Sequence, residues 1–205
     1  GFLIEFPDIF LVFDYYRDPG HDVVKALQHN PDKPVVFFVT HSHADHFNTD
    51  IFNLGQNHKR VYVLSNDIPT SDVRDDIPVE WMSAGDIAEG LPCGIRVQAF
   101  GSTDKGVSYA VTMADGFRIF HAGDLNNWHW ENESTPREIA RAKEAFTVEL
   151  DRISSQISTF DIAFFPVDVR LGENCAAGAE QFLQAVEVKN FFPMHFKGSY
   201  EKACD

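Results

Sequence analysis

Val35-Val36-Phe37-Phe38-Val39-Thr40-His41-Ser42-His43-Ala44-Asp45-His46 is the stretch on which the reading of this chain turns. Its first five residues are β-branched or aromatic and follow Pro34, which predicts a buried strand, and the polar cluster begins where that strand must end. Open α/β sheets place their chemistry at such carboxyl ends. A lone histidine there is ordinarily a hydrogen-bonded structural residue. Three imidazoles at 41, 43 and 46 with the carboxylate of Asp45 are different, because packed together without a shared cation they would repel or lie unsatisfied. The pattern points to a metal ion.

Upstream of this stretch, residues 2–6 and 9–13 are apolar runs split by Pro7-Asp8, a β-hairpin that exits at Asp14. Asp22 caps a short helix over 22–28, stopped by Asn30-Pro31. Downstream, 49–54 reads as a short helix stopped by Gly55, 60–64 as a strand, and 65–78 as a polar surface loop. Two short edge strands, 79–82 and 86–89, flank a turn at Ala84-Gly85. Residues 95–100 alternate as a half-buried strand, and 107–113 with 117–121 form a second hairpin around Ala114-Asp115-Gly116.

That hairpin delivers His121-Ala122-Gly123-Asp124, with Asp124 at a strand exit and Gly123 allowing close backbone approach. Thr135-Pro136 opens a long helix to residue 157 whose apolar stripe (Ile139, Ala142, Phe146, Leu150, Ile153, Ile157) suits packing on the domain's edge or against a second copy in a homo-oligomer. A buried strand at 160–167 follows, then a helix at 175–186 with Phe182 and Leu183 turned inward. The last strand delivers His195, with a loop from Phe196 to Gly198 after it.

Composition narrows the classes. The 205 residues, 44% hydrophobic with 19 phenylalanines, supply one sizeable core, so a single domain over 1–205 is expected. A formal charge of −14 with no Lys or Arg run repels phosphate backbones and anionic membranes, which argues against a nucleic-acid partner. Cys93, Cys175 and Cys204 are odd in number and far apart, fitting reduced thiols in a cytoplasm rather than a disulfide framework. No apolar run reaches 18 residues, and Gly1 to Phe6 lacks the basic flank of a leader, so neither a membrane span nor secretion is expected. The opening itself reads as a strand whose beginning lies upstream.

The motif His-x-His-x-Asp-His, followed by Gly123-Asp124 and a strand-borne His195, resembles the metallo-β-lactamase-fold hydrolases along nearly the whole chain. Within that superfamily it is similar to the small single-domain group that includes ascorbate-phosphate lactonase-like hydrolases. The resemblance implies an α/β (α+β) four-layer αβ/βα sandwich, two mixed β-sheets face to face with helices outside. It implies metal ligands His41 and His43 for one ion, Asp45, His46 and His195 for a second, and Asp124 as the bridge. Asp14, a turn residue on the bland reading, becomes a partner orienting a ligand histidine.

The implied activity is hydrolysis of a small-molecule ester, lactone or phosphate by a metal-bound hydroxide. Asp45 would orient that hydroxide, and His129, in Asn126-Asn127-Trp128-His129-Trp130, would offer a proton donor at the pocket wall, unless the tryptophans only cover the core's edge. Zinc is the expected ion, with manganese or iron as alternatives, at one or two per chain. One departure stands out. The resemblance calls for a further histidine between the strands at 95–100 and 107–113, and that loop reads Gly101-Ser102-Thr103-Asp104-Lys105-Gly106. The first position is therefore expected to be weak, empty, or completed by Asp104, a hydroxyl, water or substrate. A non-catalytic metal-binding descendant and a nuclease of the same fold are the competing functions.

Overall fold

The computed structural model describes residues 1–130 and 133–196; Cys204 and the loop beyond Phe196 lie outside them. The chain opens with an antiparallel pair, β1 (Phe2–Glu5) and β2 (Phe10–Phe13). Helix α1 (Asp22–His29) carries the chain back to β3 (Val35–Val39), which pairs parallel to β2 with Phe13 opposite Phe38. A 3-10 helix at Thr49–Asn53, capped by the Asn48 side chain, leads to β4 (Arg60–Ser65), and the loop after it to β5 (Val79–Met82). These strands make one mixed sheet in the order β1-β2-β3-β4-β5.

The second sheet begins with β6 (Ile87–Ala88) and continues through the antiparallel strands β7 (Arg96–Phe100), β8 (Ser108–Thr112) and β9 (Arg118–His121). Helix α2 (Pro136–Ser154) starts from a capping box in which Thr135 and Glu138 satisfy each other's backbone N–H groups. Strand β10 (Thr159–Pro166), helix α3 (Ala177–Ala185) and strand β11 (Glu187–Met194) complete the sheet in the order β11-β10-β9-β8-β7-β6, with β9, β10 and β11 parallel. The segments at 79–82 and 86–89, read from the sequence as strands flanking one turn, thus belong to different sheets. The turn between them is the crossing point.

Why β3 is apolar at every position follows from its neighbours. Val36 and Phe38 point into the core between the sheets, with Leu11, Phe13 and Val63 beside them and Val97, Tyr109 and Val111 facing them. Val35, Phe37 and Val39 point the other way, onto Leu27 of α1 and Ile51 and Phe52 of the 3-10 helix. A strand covered on both faces has no polar side, hence the unbroken run. On the far side of the second sheet, Phe146, Leu150 and Ile153 of α2 and Phe182 of α3 cover Phe120, Phe160 and Phe165. Leu183, expected inward, is 43% exposed: one step along α3 from buried Phe182 turns the side chain through about 100°, out of the core. The result is four layers, helix on sheet on sheet on helix.

Candidate metal centre

Thr40 follows β3 directly, and the chain then turns tightly, His46 and Phe47 both donating their backbone N–H to the His43 carbonyl at 2.9 Å. The turn folds His46 back over His41, ring centroids 4.1 Å apart. Asp124 reaches the same volume from the exit of β9. Its approach requires Gly123, at φ 56°, because a Cβ there would lie 2.8 Å from the Thr40 side chain. His195 arrives from the exit of β11.

The two oxygens of Asp124 face opposite ways. Oδ2 lies 3.3 Å from His41 Nε2 and 3.9 Å from His43 Nδ1; Oδ1 lies 3.0 Å from His46 Nε2 and 3.4 Å from His195 Nε2. Two groups result, His41-His43-Asp124 and Asp45-His46-His195, each with donor atoms within 4.8 Å of one another. A carboxylate with one oxygen turned to each cluster has the form of a bridge between two cations.

Each histidine of the second group is held from behind by a buried carboxylate. His46 Nδ1 lies 2.8 Å from Asp14 Oδ2, and His195 Nδ1 lies 2.9 Å from Asp168 Oδ2. A carboxylate only accepts, so each Nδ1 carries the proton and each Nε2 is left to face Asp124. Asp14 also accepts from Thr40 N at 2.8 Å and Thr40 Oγ1 at 2.7 Å, tying the histidine loop to the end of β2. Asp67, from the loop after β4, accepts the Ser42 N–H at 3.0 Å. Trp128 donates its indole N–H to the Asp124 carbonyl at 2.6 Å.

The electrostatics call for a cation. Burial alone would raise the Asp124 pKa, yet the ring nitrogens of His195, His41 and His46 hold it well below the usual carboxylate range. Burial opposes a charge on His46, but Asp14 and Asp124 on either side push its pKa up to about 10. Asp124 Oδ1 is buried with His46 Nε2 at 3.0 Å and His195 Nε2 at 3.4 Å and has no further partner. Imidazole nitrogens and carboxylate oxygens turned toward one small volume, with His41 Nε2 only 3.0 Å from His43 Nδ1, form the donor set of a divalent ion of intermediate hardness. The residues fit such an ion.

A cavity of about 350 Å³ opens on this centre, lined by His43, Asp45, Thr103, Asp104, Asp124, Trp128, Trp130, Arg170 and His195. All six expected ligands therefore meet. His129 does not join them: it is 3% exposed, packs with Nδ1 3.3 Å from Asn127 Oδ1, and does not line the cavity. Trp128 and Trp130 line the cavity, whereas His129 between them is buried beside Asn127, away from the wall position expected of a proton donor. The tryptophans on either side of it form the wall, stacked at 6.0 Å. Asp168, Asp67 and Arg170 were not anticipated. Asp168 carried the same signal as Asp14, an aspartate directly behind an apolar strand.

No protein-family model matches the chain. Two curated relatives, both described as UPF0173 metal-dependent hydrolases from strains DP4 and Hildenborough of Nitratidesulfovibrio vulgaris, are 35% and 34% identical over 115 residues, 51% of this chain. The match covers 47% of each relative, so the chain spans about half the length of the curated relatives it matches. Among solved structures, the metallo hydrolase Igni18 of Ignicoccus hospitalis superposes with a TM-score of 0.65 at 15% identity, covering 95% of this chain and 78% of that one. The metallo-β-lactamase fold protein YhfI of Bacillus subtilis gives 0.59 at 13% identity, covering 98% and 80%. The four layers and two mixed sheets described above are thus those of the metallo-β-lactamase fold.

Proposed function

We propose that this metallo-β-lactamase-fold chain is a metal-dependent hydrolase of a small ester, lactone or phosphate substrate. The observation that carries the reading is Asp124, buried, with one oxygen turned to His41 and His43 and the other to His46 and His195. These residues would hold a divalent cation, whether zinc, manganese or iron, which would lower the pKa of water to about 7 and polarise the oxygen of the group under attack.

The chain's own residues supply the rest. Asp14 and Asp168 fix the rings of His46 and His195, so the ligands are held in place before an ion arrives. Asp45 lines the cavity near both and would accept a proton from the attacking water. Trp128 and Trp130 give an apolar wall, and Arg170, half exposed and 5.2 Å over the Trp130 ring, favours a substrate bearing an anionic group. A cavity of about 350 Å³ suits a small molecule. Small substrates fit the charge of −14 better than a polynucleotide does.

The test is elemental analysis together with turnover on a panel of phosphomonoesters, phosphodiesters, lactones and thioesters. Wild-type protein should carry at least one divalent ion per chain, and His46→Ala should lose both that ion and turnover. Turnover that survives in the metal-free variant overturns the reading.

A further inference from the structure

We propose that Asp104 is a ligand of the metal position formed by His41, His43 and Asp124, completing it as a site of two nitrogens and two oxygens. The inference rests on the hydrolase reading above and adds to it the composition of its first metal position. That group by itself offers three protein donors, one short of a closed tetrahedral shell. Among the described residues, Asp45, Asp104 and Asp124 are the carboxylates lining the cavity, and the first and last of these belong to the second cluster and the bridge. Asp104 lies on the other side, with Oδ2 3.7 Å from His43 Nδ1.

The ion pair alone does not explain that placement. Both side chains are more than a third exposed, and a solvated pair at this distance contributes too little to hold a loop. The backbone holds it instead. On one side Thr103 Oγ1 donates to the Asn126 carbonyl and accepts the Asn126 N–H at 3.0 Å, fixing the loop to the segment that carries Asp124. On the other, Val107 N–H donates to the Thr40 carbonyl at 2.9 Å, and Gly106, at φ 65°, sits so close that a Cβ would lie 2.6 Å from His41 Cβ. Asp104 is strapped between the two segments that supply His41, His43 and Asp124. The Asp124 oxygen turned to this group, Oδ2, lies 3.3 Å from His41 Nε2 and 3.9 Å from His43 Nδ1, so Asp104 and Asp124 approach the His43 ring nitrogen together.

The chemistry has a consequence for the choice of ion. Both positions then combine imidazole nitrogen with carboxylate oxygen, a donor set that accepts Mn²⁺ or Fe²⁺ as readily as Zn²⁺. Metal titrations with a competing chelator, on wild type, Asp104→Ala and Asp104→His, test the assignment without any substrate. Wild type should bind two ions; Asp104→Ala should keep one at wild-type affinity and weaken the other by more than the roughly 10- to 100-fold that loss of an outer hydrogen-bond partner brings. Asp104→His should recover two, with preference moved toward Zn²⁺. With Mn²⁺, the paramagnetic resonance spectrum should change from a coupled pair in wild type to an isolated ion in Asp104→Ala. Retention of one ion shows that the alanine variant is folded. Two ions bound to Asp104→Ala with unchanged affinities, or one ion in saturated wild type, overturns the assignment while the hydrolase reading stands; wild type that binds none overturns both.

Discussion

His195 gives its Nδ1 proton to Asp168 at 2.9 Å, and this one hydrogen bond decides which nitrogen of the ring faces Asp124. Asp168→Asn keeps the shape of the side chain but weakens the acceptor and lets the ring turn. Metal affinity at the Asp45-His46-His195 group should fall roughly 10- to 100-fold, read by chelator competition, with the ions at the other group unaffected. Unchanged affinity would mean that Asp168 serves only Arg170, which it also pairs with its carboxylate.

Asp14 should matter for stability as well as for metal. It is fully enclosed and receives Thr40 N, Thr40 Oγ1 and His46 Nδ1, so Asp14→Ala strands three polar groups in the interior. A loss on the order of 3 kcal/mol is expected in urea unfolding of the metal-free protein, where no ion masks the effect.

Phe182 and Leu183 are adjacent on α3 and face different ways, the first fully buried and the second 43% exposed. Phe182→Ala should cost about 3 to 5 kcal/mol through the cavity it leaves among Phe120, Phe160 and Phe165. Leu183→Ala should stay within about 0.5 kcal/mol of wild type. Equal losses in denaturant midpoint would put Leu183 inside after all.

His121 gives a pH dependence of known sign. Burial is the main influence on its pKa and pushes it down to about 4, and Nδ1 accepts the Gly123 N–H at 3.2 Å, a contact that only the neutral ring can make. The unfolded chain binds this proton near pH 6.5 and the native one near pH 4, so in that window the unfolded state holds more protons and stability falls as pH drops. In His121→Phe, which keeps the stacking on Phe13, the urea midpoint of metal-free protein should fall less between pH 7 and pH 4 than in wild type. Parallel decline in the two proteins would show that His121 is not the group responsible.

Gly106→Ala tests the strap that carries Asp104. The added methyl meets Thr40 and His41 at a backbone angle that alanine adopts with strain, so a loss of about 1 to 3 kcal/mol is expected. A thermal midpoint equal to that of wild type would show that the loop yields freely.

Much of this was readable from residues alone, for identifiable reasons. The run Val35 to Val39 is buried on both faces, so its composition admits little but a central strand. The six candidate ligands that the structure brings together could be singled out because imidazole and carboxylate at strand exits have few other uses at such density. What failed was whatever depends on how segments far apart in sequence are placed. Residues 79–82 and 86–89 have the pattern of strands, but nothing in them says that they join different sheets. The orientation of His129 depends on its packing against Asn127 rather than on its own chemistry. Asp67 sits in a polar loop whose sequence does not reveal that its carboxylate supports Ser42, 25 residues away.

Trp128 binds the Asp124 carbonyl through its indole, meets the His195 ring edge-on at 5.4 Å, and stacks on Trp130. Indole emission responds to charge beside the ring, so loading of the centre becomes an optical event that needs no label. The remaining tryptophan, Trp81, packs with the outer face of the first sheet and supplies a steady background against which that signal is read.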